Sequence, residues 1–239
     1  MTNPHDQSAP PAERMLKAAA DLLRTGGIDA VSTRAVAAAA GVQPPTIYRL
    51  FGDKDGLLDA VAGFVLRGYI AKKRMLTGTS DDPVVELRDL WDLHIDFGLK
   101  EPHCYVLTYG QFRPGRMVPA AAETIGLLTE VIARLGDQGR LRMSVDRATA
   151  YFRACGAGFI LTQMGAAPAE RDQELSSIMF EDLMVAISDD TKRKRSATPQ
   201  LPGRAVALRE ALRDKAGLPF TAAERDLLAE WLNRLADSP

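Results

Sequence analysis

Cysteine is nearly missing from this chain of 239 residues: Cys104 and Cys155 are the only two, far apart and in no metal-ligand spacing. Two such thiols cannot build a disulfide framework and read as reduced, buried side chains of a cytosolic protein. The three histidines are scattered, so no zinc-type cluster is present. No apolar run approaches the roughly 18 residues that mark a membrane span. Residues 1–11 lack the apolar core of a signal peptide and read as a disordered lead-in. A glycine-rich phosphate loop is missing too. Gly156-Ala-Gly158 sits inside a helical pattern, with Leu161 where a third glycine would be needed. These gaps remove the common signatures of metalloenzymes, nucleotide-dependent enzymes and membrane proteins. The expectation is a cytoplasmic protein that is not an enzyme, with no cofactor, no metal and no membrane partner.

What is present is a helical chain of uneven charge. Hydrophobic residues make up 46% of it and the net charge is −1, enough apolar material for a large core. Residues 1–75 carry a balance of +3, residues 76–190 one of −8, and residues 191–239 one of +4. A basic head beside an acidic body suits a nucleic-acid reader whose body should not stick to DNA. Apolar residues recur at helical spacing over 12–25, 53–75, 83–98, 102–112, 117–136, 144–166 and 170–188, with no strand-like alternation of useful length. The breaks suggest a helix-turn-helix unit over 12–56 with a linking helix 53–75, a body over 76–190, a basic linker over 191–203, and a C-terminal helical extension over 204–239. The extension's last helix starts at Thr221-Ala-Ala-Glu224, a capping-box pattern.

Residues 32–58 carry the most information. Ser32 is an N-cap candidate. Val36 and Ala37 supply the inward face of a short helix, and Gly41 follows its last residue, where a left-handed backbone costs least. Pro44 and Pro45 then open a second helix, whose first-turn amides lack intrahelical partners anyway. Ile47, Leu50 and Phe51 should pack inward, leaving Gln43, Thr46, Tyr48 and Arg49 facing outward. Two short helices about a glycine turn, the second polar outside, make a helix-turn-helix.

The order Arg34, Val36-Ala37, Ala40-Gly41-Val42, Thr46-Ile47-Tyr48, Phe51, Lys54 and Leu57-Leu58 resembles the DNA-binding domain of TetR-family transcriptional regulators, from about Arg14 to about Ala62. The resemblance implies an all-α chain: an N-terminal three-helix DNA-binding domain, then a helical ligand-binding and dimerisation domain, here with extra C-terminal helices. It implies a ligand-responsive regulator, a repressor that binds a near-palindromic operator as a homodimer and is released by a small apolar molecule. An architectural DNA binder without an effector is the alternative. Arg34, with Ser32 and Thr33 as hydroxyl donors, is placed for phosphate contact. By resemblance Tyr48 donates its phenol to a phosphate and Lys54 clamps the backbone, contacts that orient rather than specify. Gln43, Pro44, Thr46 and Arg49 are the candidates for base edges, although Arg49 can equally lie on the flank. Pro45 stands where the family often has glycine; it stiffens the first turn and removes a main-chain donor.

In the body, Leu87, Trp91 and His94 share a helical face. Tyr105, Tyr109 and Phe112 follow in the next helix, and Tyr151, Phe152 and Phe159 come later. Each alone reads as core packing, and His94 as a satisfied core histidine; as a set they outline an apolar pocket with a few polar handles. Ala154, Gly158, Leu161 and Gly165 lie along one side of helix 144–166 and would let another helix approach. Helix 170–188 has one stripe of Leu175, Met179, Leu183 and Ile187 and another of Phe180 and Met184. By resemblance these two helices form a dimer's four-helix bundle, with Phe180 and Met184 toward the partner; alternatively both stripes are buried within one subunit.

Overall fold

Among the described residues proline occupies the first turn of five α-helices, the place where its missing N–H leaves no intrahelical bond unmade. A computed structural model describes residues 10–110, 117–188 and, between 205 and 236, Ala205, Leu208, Arg209, Leu212, Lys215 and 217–236. All regular structure among these residues is helical, apart from a single bridge pairing Leu141 with Ser188. The chain separates into two units, residues 1–190 and 191–239.

The first unit opens with α1 (Pro11–Ala30), α2 (Thr33–Ala40) and α3 (Pro44–Phe51). The predicted stop of α1 at Gly26-Gly27 is in fact a kink: Gly27 takes φ 66°, ψ −166°, and a short helical turn continues to Ala30. Ser32 caps α2 by accepting from the Ala35 amide at 3.1 Å. Gly41 ends that helix in the left-handed region, as the turn requires. Val36, Ala37 and Ile47 are buried with Met15, Ala19 and Leu23 of α1. Leu50 departs from expectation: it is 45% exposed, while Ile47 is the residue of α3 that is buried.

The long α4 (Lys54–Leu76) is capped by Asp53, which accepts from the Gly56 amide at 2.7 Å. It starts in the head and runs through Leu57, Val61, Leu66 and Tyr69, all buried, into the body. There α5 (Pro83–Lys100), α6 (Pro102–Tyr105), α7 (Pro119–Asp137), α8 (Val145–Met164) and α9 (Gln173–Ile187) enclose the second part of the core. The predicted helix over 102–112 is split: a π-turn, Val106–Gly110, continues α6, and residues 111 and 112 lie outside the described part. The helix predicted from 170 starts at Gln173, after a 3₁₀ turn at Pro168–Glu170.

Glu86 is the main buried charge of the body. Its carboxylate accepts from the Gly78 and Ser80 amides, both at 2.9 Å, and pairs with Arg134. Burial opposes ionisation, but those two amides and the guanidinium outweigh it and hold the pKa below the usual 4.5.

In the second unit α10 (Ala222–Ala236) carries the predicted capping box: the Glu224 amide donates to Thr221 Oγ1, and the Thr221 amide donates back to the Glu224 carboxylate at 2.8 Å. The proposed linker 191–203 and most of the lead-in lie outside the described residues.

Candidate DNA-reading surface and body cavity

The helix-turn-helix presents one polar face. Gln43, Pro44, Pro45, Arg49 and Lys54 are exposed, and Tyr48 is 53% exposed. Gln43 occupies the N-cap position of α3 without spending its side chain on a cap, so the amide is free to reach a base edge. Arg34 is exposed in the first turn of α2; Thr33 and Thr46 are half-buried. Thr33 Oγ1 and Tyr48 Oη approach to 3.5 Å, so the hydroxyls of α2 and α3 converge on one spot. Ser32 uses its oxygen in the cap, and its hydroxyl proton remains available for donation. Donors and cations concentrate here: Arg34, Arg49, Lys54, and the Thr33 and Tyr48 hydroxyls. That suits an acidic, hydrogen-bond-accepting backbone.

The body holds a cavity of about 80 Å³. Tyr69 and Lys73 reach it from α4, Leu90 and His94 from α5, and Tyr105 and Tyr109 from α6 and its π-turn. Thr124, Ile125 and Leu128 of α7 and Phe152, Arg153 and Ala157 of α8 complete the wall. Of the nine pocket residues expected from sequence, His94, Tyr105, Tyr109 and Phe152 line it. Leu87, Trp91 and Phe159 do not. Leu87 and Trp91 are fully buried and Phe159 nearly so, all in the packed core. Trp91 turns to a different neighbourhood, edge-on to Phe152 and Phe180 with its indole N–H on Ser176 Oγ at 3.0 Å. Tyr151 is 43% exposed on the outer face of α8, and Phe112 lies outside the described residues. The sequence reading overlooked the α4 and α7 contributions. For α4 the one sign was Tyr69, a polar tip on an otherwise apolar side of the helix; Lys73 is hidden in the basic run Lys72-Lys73-Arg74.

Hydrogen bonds fix the cavity's polar lining. Tyr69 Oη lies 2.9 Å from His94 Nδ1, and Tyr105 Oη 3.3 Å from His94 Nε2. Burial, with the charges of Lys73 and Arg153, pushes the His94 pKa down to about 3, so the imidazole is neutral. Tyr109 Oη meets Thr124 Oγ1 at 2.8 Å, and that threonine donates onward to the Ala121 carbonyl, so Tyr109 is the donor. Burial pushes the Tyr109 pKa up to about 12 and raises those of Tyr69 and Tyr105 as well, keeping all three phenols protonated. Lys73 is 5% exposed; its ammonium donates to the Thr124 carbonyl at 2.6 Å. Burial, and then Arg153, lower its pKa to about 8. Gly156 explains itself here: a Cβ on it would stand 3.3 Å from His94 Cδ2, so its helix cost makes room for the imidazole.

The cavity touches the head by two routes. Tyr69 and Lys73 stand on the helix that begins at Lys54. Tyr105 stands on α6, whose first turn rests on α1: Arg24 Nε donates to Glu101 at 3.1 Å, and the exposed His103 ring packs beside Gly27.

For the dimer residues expected on α8, Ala154, Gly158 and Gly165 are exposed and Leu161 is 49% exposed. Phe180 and Met184 are corrected: they are 2% and 5% exposed within the one chain. Phe180 fills the space between Trp91 and Phe152. Both apolar stripes of α9 therefore turn inward, and its exposed large apolar residue is Ile178, 53% exposed. No helix among the described residues is long and apolar enough to cross a membrane.

Residues 15–61 match the model of the bacterial regulatory proteins of the tetR family. Among solved structures, the chain is similar to a TetR family transcription regulator from Marinobacter aquaeolei VT8, with 19% identity over 75% of this chain and 96% of that one, at TM-score 0.57. It is also similar to the transcriptional regulator FadR from Bacillus subtilis in complex with stearoyl-CoA, with 16% identity over 72% and 97%, at TM-score 0.60. A TetR variant from Acinetobacter baumannii AYE in complex with minocycline gives 22% identity over 72% and 93%, at TM-score 0.56. At such identities the shared property is the fold. No curated protein matches the chain.

Proposed function

We infer from the tetR-family domain at residues 15–61 that this transcription regulator is ligand-responsive. It acts as a repressor that holds a near-palindromic operator as a homodimer and lets go when a small molecule fills the body cavity. One observation carries the reading: the helix that supplies Tyr69 and Lys73 to the cavity begins at Lys54, on the DNA-reading surface. A ligand that favours one placement of α4 therefore shifts DNA affinity, and DNA shifts ligand affinity by the same factor. Relatives of the same fold hold stearoyl-CoA and minocycline, which supports a small-molecule effector here.

The dimer reading rests on the outer face of α8. Ala154, Gly158 and Gly165 leave a shallow, small-residue track beside exposed Leu161 and, on α9, Ile178. Two copies joined there would carry two α3 helices, to be set about 34–36 Å apart for successive major grooves.

The test is Arg34→Ala on the full chain. Affinity for operator and non-operator duplex should fall alike, and the slope of log affinity against log salt should flatten by about one. An unchanged slope in the folded variant removes Arg34 from the phosphate contacts. A second reading, an architectural DNA binder, is favoured by the cavity's volume of about 80 Å³, small beside the roughly 300 Å³ and more of ordinary ligand sites. Release of operator by any small molecule decides for the regulator; no release by any member of a broad library decides for the architectural protein.

A further inference from the structure

We propose that the cavity's effector is a carboxylate, a small organic acid whose anionic end is held by Lys73 and Arg153 while its apolar body rests on Leu90, Leu128 and Phe152. The proposal rests on the effector-site reading above and adds the charge and orientation of the ligand.

The lining is one-sided in its hydrogen bonding. Among the described residues it contains two cations and no aspartate or glutamate. Lys73 has three N–H donors; one is given to the Thr124 carbonyl, and the ring of Tyr69 lies 5.8 Å from the ammonium. Among the described residues of the lining no carboxylate offsets the charge, although the side chain is almost fully buried. A buried ammonium whose neighbours are a carbonyl and the face of a ring, with no anion to balance it, is an unfavourable arrangement that an anion would relieve. The tyrosines add to the imbalance. Neutral His94 has one donor and one acceptor nitrogen, so of its two tyrosine partners one donates and the other accepts. The accepting tyrosine keeps its own hydroxyl proton for the cavity. Thr124 has spent its proton on the Ala121 carbonyl and Tyr109 its own on Thr124 Oγ1. What is left over is donors, and the ligand must bring the acceptors.

The same geometry supplies a means of regulation. Lys73 ties α4 to α7 through the Thr124 carbonyl. An anion competes for that ammonium and loosens or re-aims the tie, and α4 begins at the DNA-reading surface. Because the resting cavity is small, a ligand with a ring or a short chain must also part these helices to enter.

The experiment is calorimetric titration of the full chain with benzoate, phenylacetate and hexanoate, each against its primary amide. At least one acid should bind about tenfold or more tightly than its amide, the difference that one charge-assisted hydrogen bond supplies. That preference should collapse in Lys73→Met and shrink in Arg153→Gln. Arg153 is exposed, so its variant keeps the test open should Lys73→Met fail to fold. At pH 8, where Lys73 is near its pKa of about 8, the acid should draw in about half a proton. Comparison of two buffers with different ionisation enthalpies reads this uptake, and the amide should draw in none. Amides binding as tightly as acids, no acid binding at millimolar concentration, or a preference that survives both substitutions would overturn the proposal. Operator binding separates the two claims. Acids that bind without weakening operator affinity uphold the anion site and sink the regulator reading; neutral compounds that release operator while acids do not uphold the regulator and sink the anion site.

Discussion

Tyr69 Oη and His94 Nδ1 lie 2.9 Å apart, and this hydrogen bond joins the helix that starts on the candidate DNA-reading surface to the centre of the body. His94 is held neutral by its surroundings, which has a consequence for stability. Its folded pKa of about 3 lies below the ordinary 6.5, so between those values the unfolded chain binds one more proton than the folded one. Stability contributed by the neutral imidazole is full above about pH 6.5 and falls as pH drops toward 3. Between pH 6 and 5 this group should contribute close to its limiting slope of about 1.4 kcal/mol per pH unit. His94→Gln, whose amide can still donate to one tyrosine and accept from the other, should reduce the slope by up to that amount. Denaturant unfolding at a series of pH values measures it; equal slopes would mean that His94 titrates normally in the folded chain.

The outer face of α8 yields a second prediction. Gly158 has nothing within 4 Å of where a Cβ would stand, so a side chain there starts without a clash in the single chain and Gly158→Leu projects bulk toward a second copy approaching that face. Leu161→Glu places a charge on the same track. Both should give monomers in sedimentation that keep the helical circular dichroism of the parent, and both should weaken operator binding sharply. Unaffected dimers in both would move the interface off α8. Met184→Glu does not serve as a probe of the interface, because Met184 is core and a charge there would unfold the chain.

The difference between legible and illegible residues follows from the range of the forces involved. Ser32, Gly41, Asp53 and the proline-opened α3 were readable because caps and turns are decided within four residues. The helical content of the body was readable for the same reason, in its apolar period. Which face of a helix meets which neighbour is decided by packing between elements distant in sequence. Trp91 and His94 are one turn apart on α5, yet one reaches Phe180 and Ser176 while the other faces Tyr69 and Tyr105. Phe180 and Met184 look like a second amphipathic stripe until a large indole and Phe152 are seen to cover Phe180. Lys73 was the least legible of all. In the run Lys72-Lys73-Arg74 it reads as helix-end charge, and only the docking of α7 buries it.

Acid should weaken the fold through Glu86 as well, in a window that opens lower and overlaps the acid end of the His94 window. Its pKa is held below 4.5 in the folded state, so its stabilisation is present above that value and is lost as pH falls through the folded pKa. Glu86→Ala should destabilise by roughly 3–5 kcal/mol at neutral pH, since it strands the partly buried Arg134 and two amides, and should flatten the acid limb below about pH 4.5. Thermal unfolding at pH 7 and pH 4 checks both. A variant with wild-type stability at pH 7 would show that the Gly78–Ser80 turn holds without its carboxylate.

Gly27 carries the last prediction, because two physical demands meet there. Its backbone, φ 66° and ψ −166°, lies in a region open to glycine and almost closed to residues with a Cβ. A Cβ at that position would also stand 3.3 Å from His103 Nδ1. Gly27→Ala should therefore cost roughly 1–3 kcal/mol in backbone strain, plus a smaller amount for pushing the exposed imidazole aside. The two parts separate in a double variant. His103→Ala removes the contact and leaves the dihedral untouched, so Gly27→Ala in that background should keep most of its cost. The kink also sets how the end of α1 meets α6, beside the Arg24–Glu101 pair. Straightening α1 should then change operator affinity even at temperatures where the variant is fully folded. Unfolding free energies of the four chains, with operator titrations at low temperature, give the answer. If Gly27→Ala is as stable as the parent in both backgrounds, α1 has no kink at this residue and the head must be joined to the body some other way.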